Sequence, residues 1–235
     1  MVQAFRTFIC VTLLSIGGAI SSICAAALPS DKSQLSQLLI NMESPAEDMI
    51  EAIDIKKIQK LNKLYHELDA DMKTLNRIIE TDHADDEQRH EIGLLNSWFD
   101  QITLELNEMD DLPALANAIN QFSGQLILTT RFEHGYRKNI AWMDYLGREF
   151  LLLNKQASHS PNHQALLSAR RADLQATWRS VKTAIGTDAG GVALVQQVDP
   201  VIDGLMTESR QDKLVMLAAK ELDLVDDIEA WFHID

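Results

Sequence analysis

Apolar residues in this chain return at intervals of three and four, and the most regular run, Ile92, Leu95, Phe99, Ile102, Leu106 and Met109, is an unbroken a/d heptad face. Such spacing puts side chains on one side of an α-helix, whereas a strand needs alternation of period two. Leu61, Leu64, Leu68, Met72, Leu75 and Ile79 form a second stripe, and Leu167, Leu174, Trp178, Val181 and Ile185 another. Between them, Leu112, Leu115, Ile119, Phe122 and Leu126 continue into Tyr136, Ile140, Met143 and Phe150. This predicts one long helix over 112–150 with a more polar middle at 129–135. Alternating runs bounded by turn residues are missing, so the class expected is all-α.

Cap signals divide these stripes. Ser44-Pro45-Ala46-Glu47 reads as an N-cap, a first-turn proline and a capping-box glutamate. Asp111-Leu112-Pro113 and Ser160-Pro161 repeat the device, and Asp82 can cap the segment after it. Pro200 either starts a helix or kinks one. Gly186-Thr187-Asp188-Ala189-Gly190-Gly191 reads as a flexible loop. Beyond it, Val195, Val198, Ile202 and Leu205, then Leu214, Leu217, Leu224, Ile228 and Trp231, mark shorter helices. The architecture expected is an up-and-down bundle of four long helices over 28–185, a loop at 186–191, and C-terminal helices over 192–235 packed on the bundle.

Residues 1–27 carry Arg6, an apolar run from Thr7 to Ile23 and the exit Ala25-Ala26-Ala27. A basic start, a short apolar centre and small residues at the exit are the pattern of a cleaved secretory signal, which predicts a periplasmic mature protein with no stable membrane span. Both cysteines, Cys10 and Cys24, fall inside this segment. The expected mature chain therefore has no disulfide, thiolate metal site or cysteine nucleophile, and its stability must come from packing. The net charge is -14, and removing 1–27 takes away Arg6 and no acid, leaving -15. A surface this acidic repels phosphate backbones, which argues against nucleic acid and anionic lipid while leaving basic proteins and metal cations open.

Three groups of residues carry candidate chemistry. His83, Glu87 and His90 fall at i, i+4 and i+7, so two imidazoles and a carboxylate can share a helical face and hold a divalent metal. Acids at the start of a helix also stabilise its positive end without any metal. Met72 and His134 stand at similar levels if their segments run antiparallel, which suits axial ligation of haem b. The short runs around them resemble the iron-ligand regions of the four-helix periplasmic cytochromes, at a separation that departs from that family's. A methionine in an apolar stripe is equally ordinary packing.

The third group is an aromatic and basic island in an acidic chain: Arg131, Phe132, Tyr136, Arg137, Lys138, Trp142, Tyr145 and Arg148. Aromatic and arginine side chains are what binding hot spots use, although one amphipathic helix with a core face and a charged face would show the same residues. No strand-to-helix elbow or phosphate-binding glycine loop suggests catalysis. The function expected is a non-enzymatic helical bundle that binds a partner protein or a small ligand through 131–148. A metal or haem carrier is the alternative, and the long a/d stripes also suit a homodimer.

Overall fold

A computed structural model describes residues 31–81, 85–155 and 162–234. Every secondary-structure element among them is α-helical: α1 (Asp31–Asn41), α2 (Glu43–Asp54), α3 (Ile58–Thr81), α4 (Asp86–Glu108), α5 (Leu112–Thr129), α6 (Gly135–Lys155), α7 (His163–Ile185), α8 (Ala189–Thr207) and α9 (Gln211–Phe232). None of them is long and apolar enough to cross a membrane. The proposed signal segment, Asp82 and Ser160-Pro161 lie outside the described residues.

Several boundaries follow local chemistry. Asp111 caps α5 by accepting from Ala114 N at 2.9 Å, with Pro113 in the first turn. Asp85 caps α4, its carboxylate accepting from Gln88 N at 2.8 Å. The reading of Ser44 as an N-cap does not hold. α2 already starts at Glu43, after Met42 and without a side-chain cap. Pro45 lacks the N–H that would bond Asn41, and its ring crowds that carbonyl, which is why α1 ends there. The glycine-rich run also shortens as a loop. Asp188 accepts from Gly191 N at 2.7 Å, which starts α8 at Ala189 and places Gly190 and Gly191 in its first turn.

The long helix expected over 112–150 is two helices. α5 stops at Thr129, where Thr130 turns to extended backbone, and α6 begins at Gly135. The polar middle of the stripe is therefore a corner. Its consequence is two apolar cores in place of one bundle with appended helices.

The first core is closed by α2, α3, α4 and α5. α2 packs on α3 and α5, and α4 packs on α5. α3 and α4 are joined by Tyr65 Oη to Thr103 Oγ1 at 2.9 Å and by a reciprocal amide pair between Asn76 and Asn96, both bonds 2.9 Å. Leu61, Leu68, Leu75, Leu95, Ile102, Leu115 and Phe122 fill it, and α1 lies over α2 and α5. The second core is closed by α6, α7, α8 and α9, each packed on the next and α9 on α6. Phe150, Leu174, Trp178, Val198, Ile202, Val225 and Ile228 fill it.

α5 and α6 form the seam. α5 is sheathed along most of its length, with Asn120, Ser123, Gln125 and Thr129 buried beside Ile119, Phe122 and Leu126. Its Ile127 belongs to the second core, and Leu152 of α6 belongs to the first. Close approach of α5 to α6 depends on Gly124, where a Cβ would lie 2.7 Å from the Tyr145 ring; Gly147 does the same for α6 and α9, where a Cβ would lie 2.7 Å from Leu222 Cδ2. The seam is thus tight and, unusually for a helical interior, polar.

Candidate functional site

The polarity of the seam begins with Arg148 on α6, whose side chain is 9% exposed. An unpaired guanidinium there would be very costly, so the helices around it supply acceptors. Its Nε donates to Asn120 Oδ1 at 3.2 Å and its Nη2 to Ser123 Oγ at 3.0 Å, both from α5. Asp144, one turn back on α6, pairs with Nη1, and Glu47 Oε1 of α2 lies 2.8 Å from the same nitrogen. Burial works against the charge of Arg148, but Asp144, Glu47 and Glu43 outweigh it and hold the group above the usual guanidinium range.

A second, linked network runs from Asn120 toward α7. Asn120 Nδ2 donates to Glu149 Oε2 at 2.8 Å, and Gln121 Nε2 to the same oxygen at 3.0 Å. Arg170 of α7 reaches Glu149 Oε1 at 3.4 Å and donates to Tyr145 Oη at 3.2 Å. Tyr145 in turn donates to Gln121 Oε1 at 3.4 Å. Burial, then the neighbouring Glu149, pushes the Tyr145 hydroxyl up to about 12. It remains a protonated donor at neutral pH.

Next to Arg148 the packing opens. A cavity of about 240 Å³ lies between the α1/α2 corner, α6 and the end of α9. It sits just below the ~300–1,000 Å³ of pockets that hold drug-sized ligands. Its polar wall is Glu43, Ser44 and Glu47 from α2, Arg137 and Asp144 from α6, and Glu229 from α9; Ile40, Phe132, Ala141 and Ile234 form the apolar wall. Behind it, Glu221 of α9 is fully buried, and neither of its carboxyl oxygens has a hydrogen-bond partner.

Crowding sets the protonation of these acids. Burial raises Glu43 to about 7 with Asp144 and Glu229 adding to it, while Arg148 opposes. Glu229 is raised to about 7 by burial and then by Asp144 and Asp226. Glu47 goes higher, to about 9, again by burial, with Asp144 pressing in the same direction through charge and a hydrogen bond. Glu221 stands well above the carboxylate range because it is buried. Two helices, α2 and α9, therefore hold protonated or half-protonated carboxyls around one accessible space at neutral pH.

The residues expected from sequence divide among different tasks. Phe132 and Arg137 line the cavity, and Arg148 lies behind it. Tyr136 stacks on Phe232 at 4.5 Å, and Trp142 meets Tyr145 at 4.6 Å, so these aromatics join α6 to the second core. Arg131, exposed, is bonded to both carboxylate oxygens of Glu91, at 2.9 and 3.3 Å, and ties the α5/α6 corner to α4. Lys138 is half-buried and stands outside the cavity lining. The segment is not a basic island in space. Its innermost arginine is enclosed by acids.

The metal candidates are described only in part, and the two haem candidates fall in different parts of the fold. Glu87 and His90 are exposed on the first turns of α4, and His83 lies outside the described residues. Among the described residues no group of three or more His, Cys, Asp or Glu is arranged to hold a metal ion. Met72 is buried in the first core, whereas His134 is exposed at the α5/α6 corner and stacks on Tyr136, which packs against the second. The corner explains why: equal levels on antiparallel helices required α5 to continue through His134.

Glu43, Glu47, Asp144, Glu221 and Glu229 are site residues that sequence reasoning missed. For Glu221 a signal existed. It occupies a stripe position between Ala218 and Val225, where an apolar residue is due. Glu47, three residues after Ser44, has the spacing of a capping-box residue, which hides its place in the site. Comparison of the chain with protein-family models, curated protein sequences and solved structures finds no match.

Proposed function

We propose that this is a non-enzymatic binding protein of the periplasm, delivered there by a cleaved segment over 1–27, which takes a small ligand or a single side chain of a partner protein in the cavity between α2, α6 and α9. The observation that carries this reading is the cavity itself, walled by ionisable groups from three helices and by the apolar surfaces of Ile40, Phe132 and Ala141. Polar groups converging on a concave, partly apolar space are the usual form of a ligand site. Phe132, Arg137, Ala141 and Asp144 all come from the 131–148 segment, in which binding was expected. Connections of a few residues between long helices further support an up-and-down course within each ring.

Native mass spectrometry of the protein recovered from the periplasm of its host tests this reading. The processed chain is expected to begin at Leu28 and to carry an adduct that Ala141→Trp, which fills the cavity, no longer carries. An adduct retained equally by Ala141→Trp, or none in either protein, refutes the cavity as the binding site. A full-length chain confined to the cytosol refutes the periplasmic assignment.

A further inference from the structure

We propose that the ligand of this cavity is a small organic cation, an ammonium or guanidinium on a short hydrocarbon arm, with Glu43, Glu47, Asp144 and Glu229 as its counter-charges. The inference rests on the binding reading above and names the chemistry of the ligand. Four of the lining residues are acids and one, Arg137, is basic. Behind the wall, α6 adds Arg148 and α9 adds Glu221 and Asp226, each within electrostatic reach of Asp144. Six carboxyls thus face two guanidiniums, and one of those, Arg148, is already engaged by Asp144, Glu47, Asn120 and Ser123. Acids outnumber bases around the cavity, and the place is short of positive charge.

Outside the lining, Glu221 adds a fully buried carboxyl with both oxygens unbonded, against Gly147 and within electrostatic reach of Asp144 and Arg148. An ammonium brings three N–H donors and a guanidinium five, with no acceptor to compete. The apolar wall suits the rest of such a molecule: Ile40, Ala141 and Ile234 can cover a hydrocarbon arm, and Phe132 offers an aromatic ring to a cation. A bare metal ion fits less well, since no set of three or more ligating side chains is arranged for one among the described residues.

A cation entering here favours the ionised carboxyls and so expels protons that Glu43, Glu47 and Glu229 otherwise keep. The bound form carries fewer protons than the free one. Affinity therefore rises with pH, by at most about tenfold per unit for each proton displaced, and the rise contributed by Glu43 and Glu229 levels off above pH 7 while that from Glu47 continues through pH 8.

Calorimetric titration of the processed chain at pH 6, 7 and 8 tests the proposal, with n-butylamine and n-butylguanidine as probes and n-butanol and butyrate as controls. One cation is expected to bind per chain, more tightly as pH rises, with the controls silent. Glu229→Gln and Glu43→Gln are each expected to weaken it about tenfold or more, the loss of one opposed charge in a shielded site, with helical dichroism unchanged. Absence of binding by either cation at every pH overturns the proposal, as does wild-type affinity in both variants. If butanol binds as tightly as butylamine and Ala141→Trp abolishes it, the cation assignment falls while the cavity remains a ligand site. If Ala141→Trp leaves cation binding untouched, the cavity itself is the wrong place.

Discussion

Replacing Arg148 by methionine removes the charge at the seam while keeping an unbranched side chain of similar reach. Four groups lose a partner: Asn120 Oδ1, Ser123 Oγ, Asp144 and Glu47. Removing one member of a buried ion pair costs about 3–5 kcal/mol, because the remaining charge is left in a poor solvent. Urea unfolding followed by helical dichroism reads this cost directly. At pH 8 the thermal midpoint should drop by roughly 6–20 °C for a chain of this size. A cost below about 1 kcal/mol at pH 8 would refute the claim that Arg148 is held by charge.

Gly147→Ala drives a Cβ into Glu221 Oε2 and Leu222 and is expected to destabilise by about 1–3 kcal/mol, despite the better helix propensity of alanine; Glu221→Ala in the same chain should relieve part of that cost in chemical denaturation. For the wild-type protein, Glu43, Glu47 and Glu229 keep their protons to higher pH when folded than when unfolded. The folded state therefore binds more protons, and stability falls as pH rises from about 4.5 through 7 and, for Glu47, through 9. A urea midpoint that climbs from pH 5 to pH 9 would contradict this. Asp111→Ala removes the acceptor for Ala114 N and should cost about 0.5–2 kcal/mol in the same assay. Restoration by Asp111→Ser but not by Asp111→Val would show that capping is the cause.

The helices were legible in the sequence wherever an apolar stripe was continuous. Leu61 to Leu75 and Ile92 to Ile102 point inward along α3 and α4, as their spacing requires. The corner at 130–134 was not legible as a break, since Leu126 and Tyr136 stay nearly in phase across it and a polar middle is common on solvated helices. The cavity was hidden for a different reason. Its walls are Glu43 and Glu47 from α2, Asp144 from α6 and Glu229 from α9, residues separated by most of the chain and individually typical of solvated faces. In sequence the 131–148 segment stands out for its arginines, yet its part in the site comes as much from Ala141 and Asp144. Sign of charge misled here because Arg148 points into the protein, where its partners on α2 and α5 decide what it does.

α5 touches both cores and shows water little of its surface. An axle of this kind shares its fate with both wheels. Loss of either ring strips one flank of α5 and leaves Asn120, Ser123 and Glu149 without their opposite numbers, so the surviving half inherits an exposed, poorly matched side. The two halves should consequently melt together, and a fragment ending near Thr129 would keep its greasy interior but present an unanswered polar stripe where α6 belongs.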